Sequence, residues 1–429
     1  MLATQRRLYD LGIFSQVEVA IQNPNGTESR KNLLIDVEEA RRYTMKLGLG
    51  AEVARFGRSP VPTNVQGNNA FSPDFSFEIS RLNVWGRPHT LSLISRFSTL
   101  QKRAGLSYTA TRFLYREGWE ASVRTFYDET FNVLTFTARR VEGSVQFQDK
   151  MSRTTALFYR YSMSRVTVDT DTLRISPALF PILARPVWVG MLSQTTVRDT
   201  RDNPADSHQG MFTSADFGIA AKATGSQASF VKMLFQNSSY YRLGKIMVLA
   251  RSSQFGAQTA LGAGRPVVIQ QAVGGQPAQE IFTNEIPIAE HFFSGGGNSH
   301  RGFAVNQAGP RDPATGFPLG GNALLLNSVE LRFPIWGENV GGVLFHDMGN
   351  VFAHISDFSV RQHQKSPEDF NYISHAVGFG LRYRTPVGPV RLDLGYNLNP
   401  TRFLIQTGGS ATGQSLTRWQ FLFSIGQNF

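Results

Sequence analysis

A glycine-rich segment that ends on one cation and one aromatic ring is the part of this sequence best suited to specific contacts. Residues 294 to 303 read Ser-Gly-Gly-Gly-Asn-Ser-His-Arg-Gly-Phe. They lie in a connection of about sixty residues, from about 259 to 320, between two strand-like segments. Three consecutive glycines permit backbone shapes closed to other residues, and Arg301, Gly302 and Phe303 then present a guanidinium beside a ring. We interpret this long connection as a functional loop.

The sequence carries no motif of an enzyme active site. Nucleophile-elbow, phosphate-loop and zinc-protease patterns are absent, and the eight histidines show no ligand-like spacing. His346 and Asp347 are adjacent, but neighbours on a strand point to opposite faces and cannot form a catalytic pair. Asp199, Arg201 and Asp202 could hold a metal ion, although such runs in turns more often form local hydrogen bonds. We therefore expect no catalytic residue, no metal and no cofactor.

The composition excludes several classes of protein. The chain has 429 residues, with 40 glycines, 33 phenylalanines and no cysteine, which is unusual for a soluble protein. No stretch of about 18 or more apolar residues occurs, so a membrane-spanning helix is excluded. A membrane β-barrel stays compatible, because only every second residue of its strands faces lipid. The absence of cysteine removes thiol catalysis, disulfides and thiolate metal sites.

The formal charge of +11 comes from scattered arginines, because the sequence has no basic cluster and no recognisable nucleic-acid module. We expect most of these arginines at solvated lumen and loop positions, some at anionic lipid headgroups, and no nucleic-acid partner. Met1–Arg7 lacks the apolar core and the cleavage site of a secretory signal. For a secreted barrel, this pattern implies further residues upstream of Met1.

From Tyr43 onward, about sixteen segments alternate apolar and polar residues with period two, and none forms a convincing amphipathic helix. The predicted strands are 43–56, 71–84, 88–101, 104–116, 118–128, 132–148, 152–168, 187–199, 210–222, 227–243, 245–258, 321–333, 340–353, 372–386, 388–398 and 416–429. Connections after even-numbered segments are mostly short, as at Glu117–Gly118, and the longest follow odd-numbered ones. Outer-membrane barrels have this asymmetry, with the short turns in the periplasm. The pattern predicts an all-β fold, an antiparallel transmembrane β-barrel over residues 43 to 429 with both termini periplasmic.

The ordered set of motifs resembles the barrel domain of the BamA/TamA superfamily, the surface-antigen-type bacterial outer-membrane insertases. The resemblance rests on Arg301-Gly302-Phe303, on Phe345-His-Asp347-Met-Gly349, and on Asp199-Thr-Arg-Asp-Asn-Pro, Thr385-Pro-Val-Gly-Pro and the terminal Phe421 to Phe429. In that family the loop tip folds back into the barrel and contacts a Phe-x-Asp-x-Gly motif on the wall. The resemblance therefore implies that Arg301, Gly302 and Phe303 face Phe345, Asp347 and Gly349, with an ion pair between Arg301 and Asp347. His291 departs from the family, which has arginine in Glu-Arg-Phe-Phe.

The first forty residues look like the end of a polypeptide-transport-associated (POTRA) domain, the periplasmic module that precedes these barrels. Residues 4 to 11 can form a helix that Gly12 closes. Two alternating segments follow, separated by the turn Asn23-Pro-Asn-Gly. Residues 1 to 40 are therefore assigned to the C-terminal part of a POTRA domain.

The function implied by the resemblance is the insertion and folding of other β-barrel proteins through a lateral seam between the first and last strands. Gly48 and Gly50 in the first strand and Gly426 in the last are compatible with weak closure, because glycine weakens strand interiors. The terminal Phe429 resembles the signal by which outer-membrane barrels are themselves assembled. The implied partners are unfolded outer-membrane proteins, outer-membrane lipid including lipopolysaccharide, and periplasmic or lipoprotein accessory subunits.

Two alternatives remain open at this point. A two-partner-type secretion translocator shares the barrel and the loop motif but exports a soluble polypeptide through the pore. A passive porin would lack the periplasmic module, so residues 4 to 38 argue against it. The same residues do not separate an insertase from a translocator.

Overall fold

Sixteen antiparallel strands close into one barrel in the computed structural model of this chain. The structure describes residues 2–9, 11–28, 30–56, 64–262, 265–270, 279–283, 285–337, 339–385, 388–407 and 409–425. The predicted all-β fold, a sixteen-stranded antiparallel transmembrane barrel, is confirmed. No helix in the described part of the chain combines the length and apolar character needed to cross a membrane.

Each barrel strand pairs with its neighbour in the sequence, and the last strand pairs with the first. The strands are β1 (Tyr43–Phe56), β2 (Asn68–Arg81), β3 (His89–Ser98), β4 (Gln101–Thr111), β5 (Trp119–Thr130), β6 (Ala138–Asp149), β7 (Thr155–Val168), β8 (Val187–Asp199), β9 (Gly210–Ala220), β10 (Phe230–Leu243), β11 (Met247–Ala260), β12 (Ala323–Trp336), β13 (Val340–Phe352), β14 (Ser374–Thr385), β15 (Gly388–Asn397) and β16 (Trp419–Ile425).

The period-two pattern separates an apolar outer face from a polar lumen, as expected for a barrel in lipid. In β1, Tyr43, Met45, Leu47 and Leu49 are exposed on the outer face. In β13, Asp347 is buried inside the barrel while Leu344 is exposed outside. The alternation that predicted the strands is therefore the alternation between lipid and lumen.

A helix and a two-stranded hairpin precede the barrel. The helix covers Leu2–Tyr9, and the hairpin strands Phe14–Ile21 and Leu33–Glu39 pair antiparallel. Gly12, three residues after the last helical residue, has a φ of 71°, a conformation that favours glycine. The assignment of these elements to a POTRA domain stays a prediction.

Other short elements lie in the connections. Two hairpins, Arg265–Gln270 with Gln279–Thr283 and Arg402–Thr407 with Ser410–Ser415, were not predicted. A short helix covers Phe180–Leu183. Single 3₁₀ turns cover Val84–Gly86, Phe113–Tyr115, Thr170–Thr172, Pro177–Leu179, Lys222–Thr224, Ile288–Glu290 and Ile355–Asp357.

The largest boundary error concerns the strand predicted to start at residue 132, because β6 starts at Ala138. The preceding apolar residues pack elsewhere. Leu134 joins a buried cluster with Phe303, and Phe136 joins another with Ile288. These residues therefore cover the folded-in loop instead of extending the barrel wall.

Candidate functional site at the loop tip and the barrel wall

The glycine-rich tip of the long connection lies buried inside the barrel. Gly295 and Gly296 have φ values of 125° and 94°, which side chains rarely adopt. A Cβ at Gly295 would also collide with the carbonyl oxygen of Ala304. The Gly296 N–H donates to the Phe303 carbonyl over 3.0 Å, which closes the turn. The glycines thus allow the tight bend that carries Arg301.

Arg301 and Asp347 form a buried, bidentate ion pair between the loop and the wall. Nε of Arg301 donates to Oδ2 of Asp347 over 2.8 Å, and Nη2 donates to Oδ1 over 2.7 Å. The backbone N–H of Arg301 adds a third hydrogen bond to Oδ2, at 2.9 Å. The two side chains are 4% and 1% exposed. This pairing holds both the side chain and the backbone of the tip.

Two further carboxylates from neighbouring strands surround the same guanidinium. Nη1 of Arg301 donates to Glu330 in β12 over 2.7 Å and lies 3.9 Å from Asp393 in β15. Arg332 pairs with Glu330 at 2.7 Å, and Arg382 pairs with Asp393 at 2.8 Å. Together with the β13 carboxylate, the cluster contains three cations and three anions. Its balanced charge offsets the free-energy cost of burying these groups.

Phe345 and Gly349 shape the wall around Asp347. The guanidinium carbon of Arg301 lies 3.5 Å from the centre of the Phe345 ring, a close cation–π contact. Gly349 has a φ of 146°, and a Cβ there would collide with the carbonyl oxygen of Leu325 in the neighbouring strand. Phe345 therefore supplies a stacking surface and Asp347 a counter-charge, while Gly349 allows the two strands to approach closely.

Gly302 brings the tip into direct contact with the wall. A Cβ at this position would lie 2.6 Å from Cβ of Ala376 in β14. Nδ2 of Asn397 donates to the Gly302 carbonyl over 3.0 Å. A Cβ at Gly395 would collide with the Arg301 carbonyl oxygen. Asn397 and Gly395 were not predicted as site residues, although they share the lumen-facing parity of Asp393.

Phe303 points away from the wall and into the apolar interior of the folded loops. It is fully buried in a cluster that contains Phe317, Phe403 and Ile405. Its ring also packs edge-on against His300, with centroids 4.8 Å apart. The motif thus binds the wall through Arg301 and Gly302, and binds the other loops through Phe303.

The junction of β16 with β1 has the shortest registered pairing of the barrel among the described residues. Three cross-strand pairs connect the two strands, the first of which is Phe423 with Val53. Fourteen pairs connect β1 with β2. Gly48 and Gly50 lie in β1, and a Cβ at Gly50 would stand 3.0 Å from the Ile425 carbonyl oxygen. Gly426 and Phe429, also predicted for this seam, lie outside the described residues.

The sequence of residues 83–429 matches the model of the Omp85 superfamily domain. The chain belongs to the Omp85 superfamily.

Curated and solved relatives agree with this membership. The chain is 22% identical over 436 aligned residues to "Outer membrane protein assembly factor BamA" of Nitratidesulfovibrio vulgaris, with 99% of this chain and 46% of that protein covered. It thus spans about half the length of that relative. The structure of BamA from Haemophilus ducreyi lacking POTRA domains 1–3 matches with a TM-score of 0.71 at 16% identity, covering 99% of this chain and 77% of the other. CdiB from Acinetobacter baumannii matches with a TM-score of 0.54 at 13% identity, covering 97% and 66%.

His291 occupies the Omp85 position at which we expected arginine, and its ring lies between two backbone carbonyls. Nδ1 lies 2.9 Å from the Leu319 oxygen, and Nε2 lies 3.0 Å from the Ile286 oxygen. A neutral imidazole can donate to only one of them, whereas an arginine could serve both. Burial lowers the pKa of His291, although the two carbonyls act in the opposite direction.

The turn after β8 forms a local hydrogen-bonding cluster. Arg201 pairs with Asp199 through Nη2 at 2.7 Å, and Asp202 accepts from the backbone N–H of His208 at 3.0 Å. Among the described residues, no three histidine, aspartate or glutamate side chains are grouped so that they could hold a metal ion.

The folded-in loop leaves part of the lumen open. A cavity of about 780 Å³ remains on the side of β4 to β7. Arg103, Arg124, Asp128 and Arg160 line it, together with the aromatic rings of Phe126 and Phe293. The alternation of apolar and polar residues in the sequence predicted that the lumen-facing residues would be polar. It did not predict where the folded loop would leave a cavity.

Proposed function

We propose that this chain is the barrel of an outer-membrane assembly factor that inserts and folds β-barrel proteins through the seam between β1 and β16. The observation that carries the proposal is the seam pairing, because among the described residues three registered pairs join β16 to β1 whereas fourteen join β1 to β2. A strand edge that opens here can pair with a client strand by β-augmentation. In lipid, this pairing satisfies backbone groups that would otherwise lack partners.

The loop-tip contact supports the same mechanism by bracing the wall beside the seam. Arg301 contacts carboxylates of β12, β13 and β15, and the tip carbonyl accepts from Asn397 at the end of β15. The strand next to β15 is β16, which forms the seam. A wall held rigid up to β15 confines the opening to the β16 edge. The mechanism requires no catalytic residue, cofactor or nucleotide.

The proposal includes the location and the partners of the chain. We place the barrel in the bacterial outer membrane, with the short-turn side and both termini in the periplasm, where a preceding POTRA domain would lie. The proposed clients are unfolded outer-membrane proteins, assisted by periplasmic or lipoprotein accessory subunits and in contact with lipopolysaccharide. The name of the BamA relative from N. vulgaris supports this assignment.

A cross-link over the seam tests the proposal. Val53 and Phe423 are cross-strand partners, and the sequence has no cysteine, so Val53→Cys with Phe423→Cys can form only one disulfide within the chain. We expect the oxidised protein to lose insertion of a β-barrel client into lipid vesicles and to regain it on reduction. The control is Leu47→Cys with Phe77→Cys, which joins β1 to β2 and leaves the seam free. Normal insertion by the oxidised seam variant would refute lateral opening.

The lumen cavity supports a second candidate, a translocator that exports a soluble polypeptide through the pore. Its 780 Å³ volume lies beside the folded loop, so displacement of the loop would widen a path through the barrel. The same seam disulfide separates the two functions. An oxidised variant that still exports polypeptide identifies a translocator, because that path does not use the seam.

A further inference from the structure

A row of polar side chains crosses five neighbouring strands on one face of the barrel wall. The row runs through Asn327, Ser253, Asn237, Thr213 and Arg198, which are consecutive cross-strand partners from β12 to β8. Direct cross-strand partners point to the same side of a sheet. The row is therefore one continuous surface feature, although its members are far apart in the sequence.

This row lies on the lipid-facing side. Ser328 donates to Asp347 in the lumen over 2.7 Å, so the adjacent Asn327 points outward. The next outward row contains Leu325, Phe255 and Phe235, which are apolar. The polar row is thus bordered on this side by a surface that suits lipid.

Arg251 adds a cation to this surface. Its Nη2 donates to Ser253 over 2.9 Å, and its Nε donates to Asn327 over 3.3 Å. Arg251 is exposed, and within the described part of the chain it forms no ion pair. Its cross-strand partner Ser239 is buried, and the Ser239 hydroxyl has no hydrogen-bond partner among the described residues. The surface therefore carries an unneutralised cation beside an unsatisfied hydroxyl.

The direction of the Arg251 side chain argues against a lipid headgroup as its ligand. Arg251 is the fifth residue of the fourteen-residue strand β11, and Ser253 lies farther from the strand start at Met247. An arginine that reached for headgroups would extend toward the nearer strand end. Here the guanidinium turns toward the middle of the strand, where a cation facing lipid is costly.

The opposite wall of the barrel shows that contact with lipid does not by itself require polar residues in an outward row. Met45, Ile79, Leu93 and Leu106 form a corresponding outward row across β1 to β4, and all four are apolar. The polar row belongs to β8 to β12, on the far side of the barrel from the seam. A protein bound to it would leave the proposed seam free.

We propose that the polar row with Arg251 is a docking surface for a second membrane-embedded protein, which presents a carboxylate to Arg251 and hydrogen-bonding side chains to the row. Charge complementarity selects this occupant, because the surface offers the guanidinium groups of Arg251 and Arg198, amides and hydroxyls, and no carboxylate. A second copy that docked through the same face would bring two arginines together. This inference goes beyond the proposed insertase function and does not depend on the seam.

A photo-reactive amino acid in place of Phe235, which lies directly beside the row, tests the proposal. The experiment uses the full chain in native outer membranes. Phe235 is 38% exposed, and Phe75 on the opposite wall, at 41%, is the matched control position. Mass spectrometry of the adduct identifies the residue contacted. We expect a lipid-facing segment of another membrane protein that contains aspartate or glutamate.

Charge exchange then decides whether the contact is the proposed one. Arg251→Glu should reduce the adduct roughly ten-fold, and changing the identified carboxylate to lysine should restore it. Arg251→Leu, which removes the charge without adding another, should also lose the adduct while the barrel keeps its folded electrophoretic mobility. Adducts with lipid only, with a second copy of this chain, or with a segment that lacks an acidic residue would overturn the proposal. So would a yield at Phe235 no higher than at Phe75.

Discussion

Arg301 donates three hydrogen bonds to Asp347, one from its backbone and two from its guanidinium. The same guanidinium stacks on Phe345, two residues before Asp347 in β13. One strand therefore holds the loop tip by charge, by hydrogen bonding and by ring contact. The ion pair, the guanidinium hydrogen bonds and the ring contact share one side chain, so truncating Arg301 removes them together and leaves only the backbone hydrogen bond.

Replacing either member of this pair should release the loop. Arg301→Ala leaves the Asp347 carboxylate buried without its cation, and Asp347→Ala leaves the buried cluster with one excess positive charge, so either change should cost about 3 to 5 kcal/mol of loop docking. Because both act on one contact, the double variant should be little worse than either single one, as a double-mutant cycle on protease resistance can measure. Arg103→Ala is the control, since its pair with Asp128 lies outside this cluster and the Arg103 side chain is 44% exposed, so this pair should contribute under about 1 kcal/mol. Additive losses would show that the residues act separately.

Gly302→Ala should displace the tip from the wall by a steric route. The new methyl group would lie 2.6 Å from Cβ of Ala376, so overpacking should cost about 1 to 3 kcal/mol. Combining it with Ala376→Gly should recover most of the protease resistance. Gly297→Ala is the matched control in the same tip, because a Cβ there would meet nothing within 4 Å. A loss that Ala376→Gly does not relieve would point to another cause.

Acid should weaken loop docking through His300. The His300 Nε2 lies 3.1 Å from the Ser374 carbonyl, and Nδ1 accepts from the Gly302 N–H over 3.2 Å, so the docked ring is neutral. Burial lowers the pKa of His300, although the charge of Asp347 opposes this. The released loop regains a histidine pKa of about 6.5 and takes up the proton first as the pH falls.

Docking stability is therefore complete above about pH 6.5 and decreases below it. Protease cleavage of the loop should increase between about pH 7.5 and pH 5.5, and His300→Gln should flatten this dependence. His291 contributes in the same direction, because burial also lowers its pKa. A cleavage rate that does not change with pH would contradict the neutral, buried state of His300.

Hydrogen exchange should be fastest at the seam among the barrel strands. Phe423, Ser424 and Ile425 are the described residues of β16 that pair with β1. Few pairs lower the free energy of local opening, so we expect seam amides to exchange at least about ten-fold faster than those between β1 and β2. Deuterium uptake by peptides of β16 and β2 measures this difference. Equal protection would mean that the seam closes as firmly as the rest of the wall.

The sequence alone determined the class of fold and the position of the loop. Alternation with period two is a local property of each strand, so β8 was predicted at residues 187 to 199, the range that it occupies. The short turns and the glycine-rich segment are equally local. The resemblance carried by Arg301 and Asp347 named the two residues that the structure brings together.

Only the tertiary structure decided which residues share a site across different strands. Glu330, Asp393 and Asn397 join the loop tip because the barrel closes with one particular register between β12 and β15. The direction of Phe303 depends on Phe317 and Phe403, which come from other parts of the connections. The outward polar row also appears only when Arg198, Thr213, Asn237, Ser253 and Asn327 are aligned. Residue order encodes the two faces of each strand, but the register between strands is set by the packing of the whole barrel.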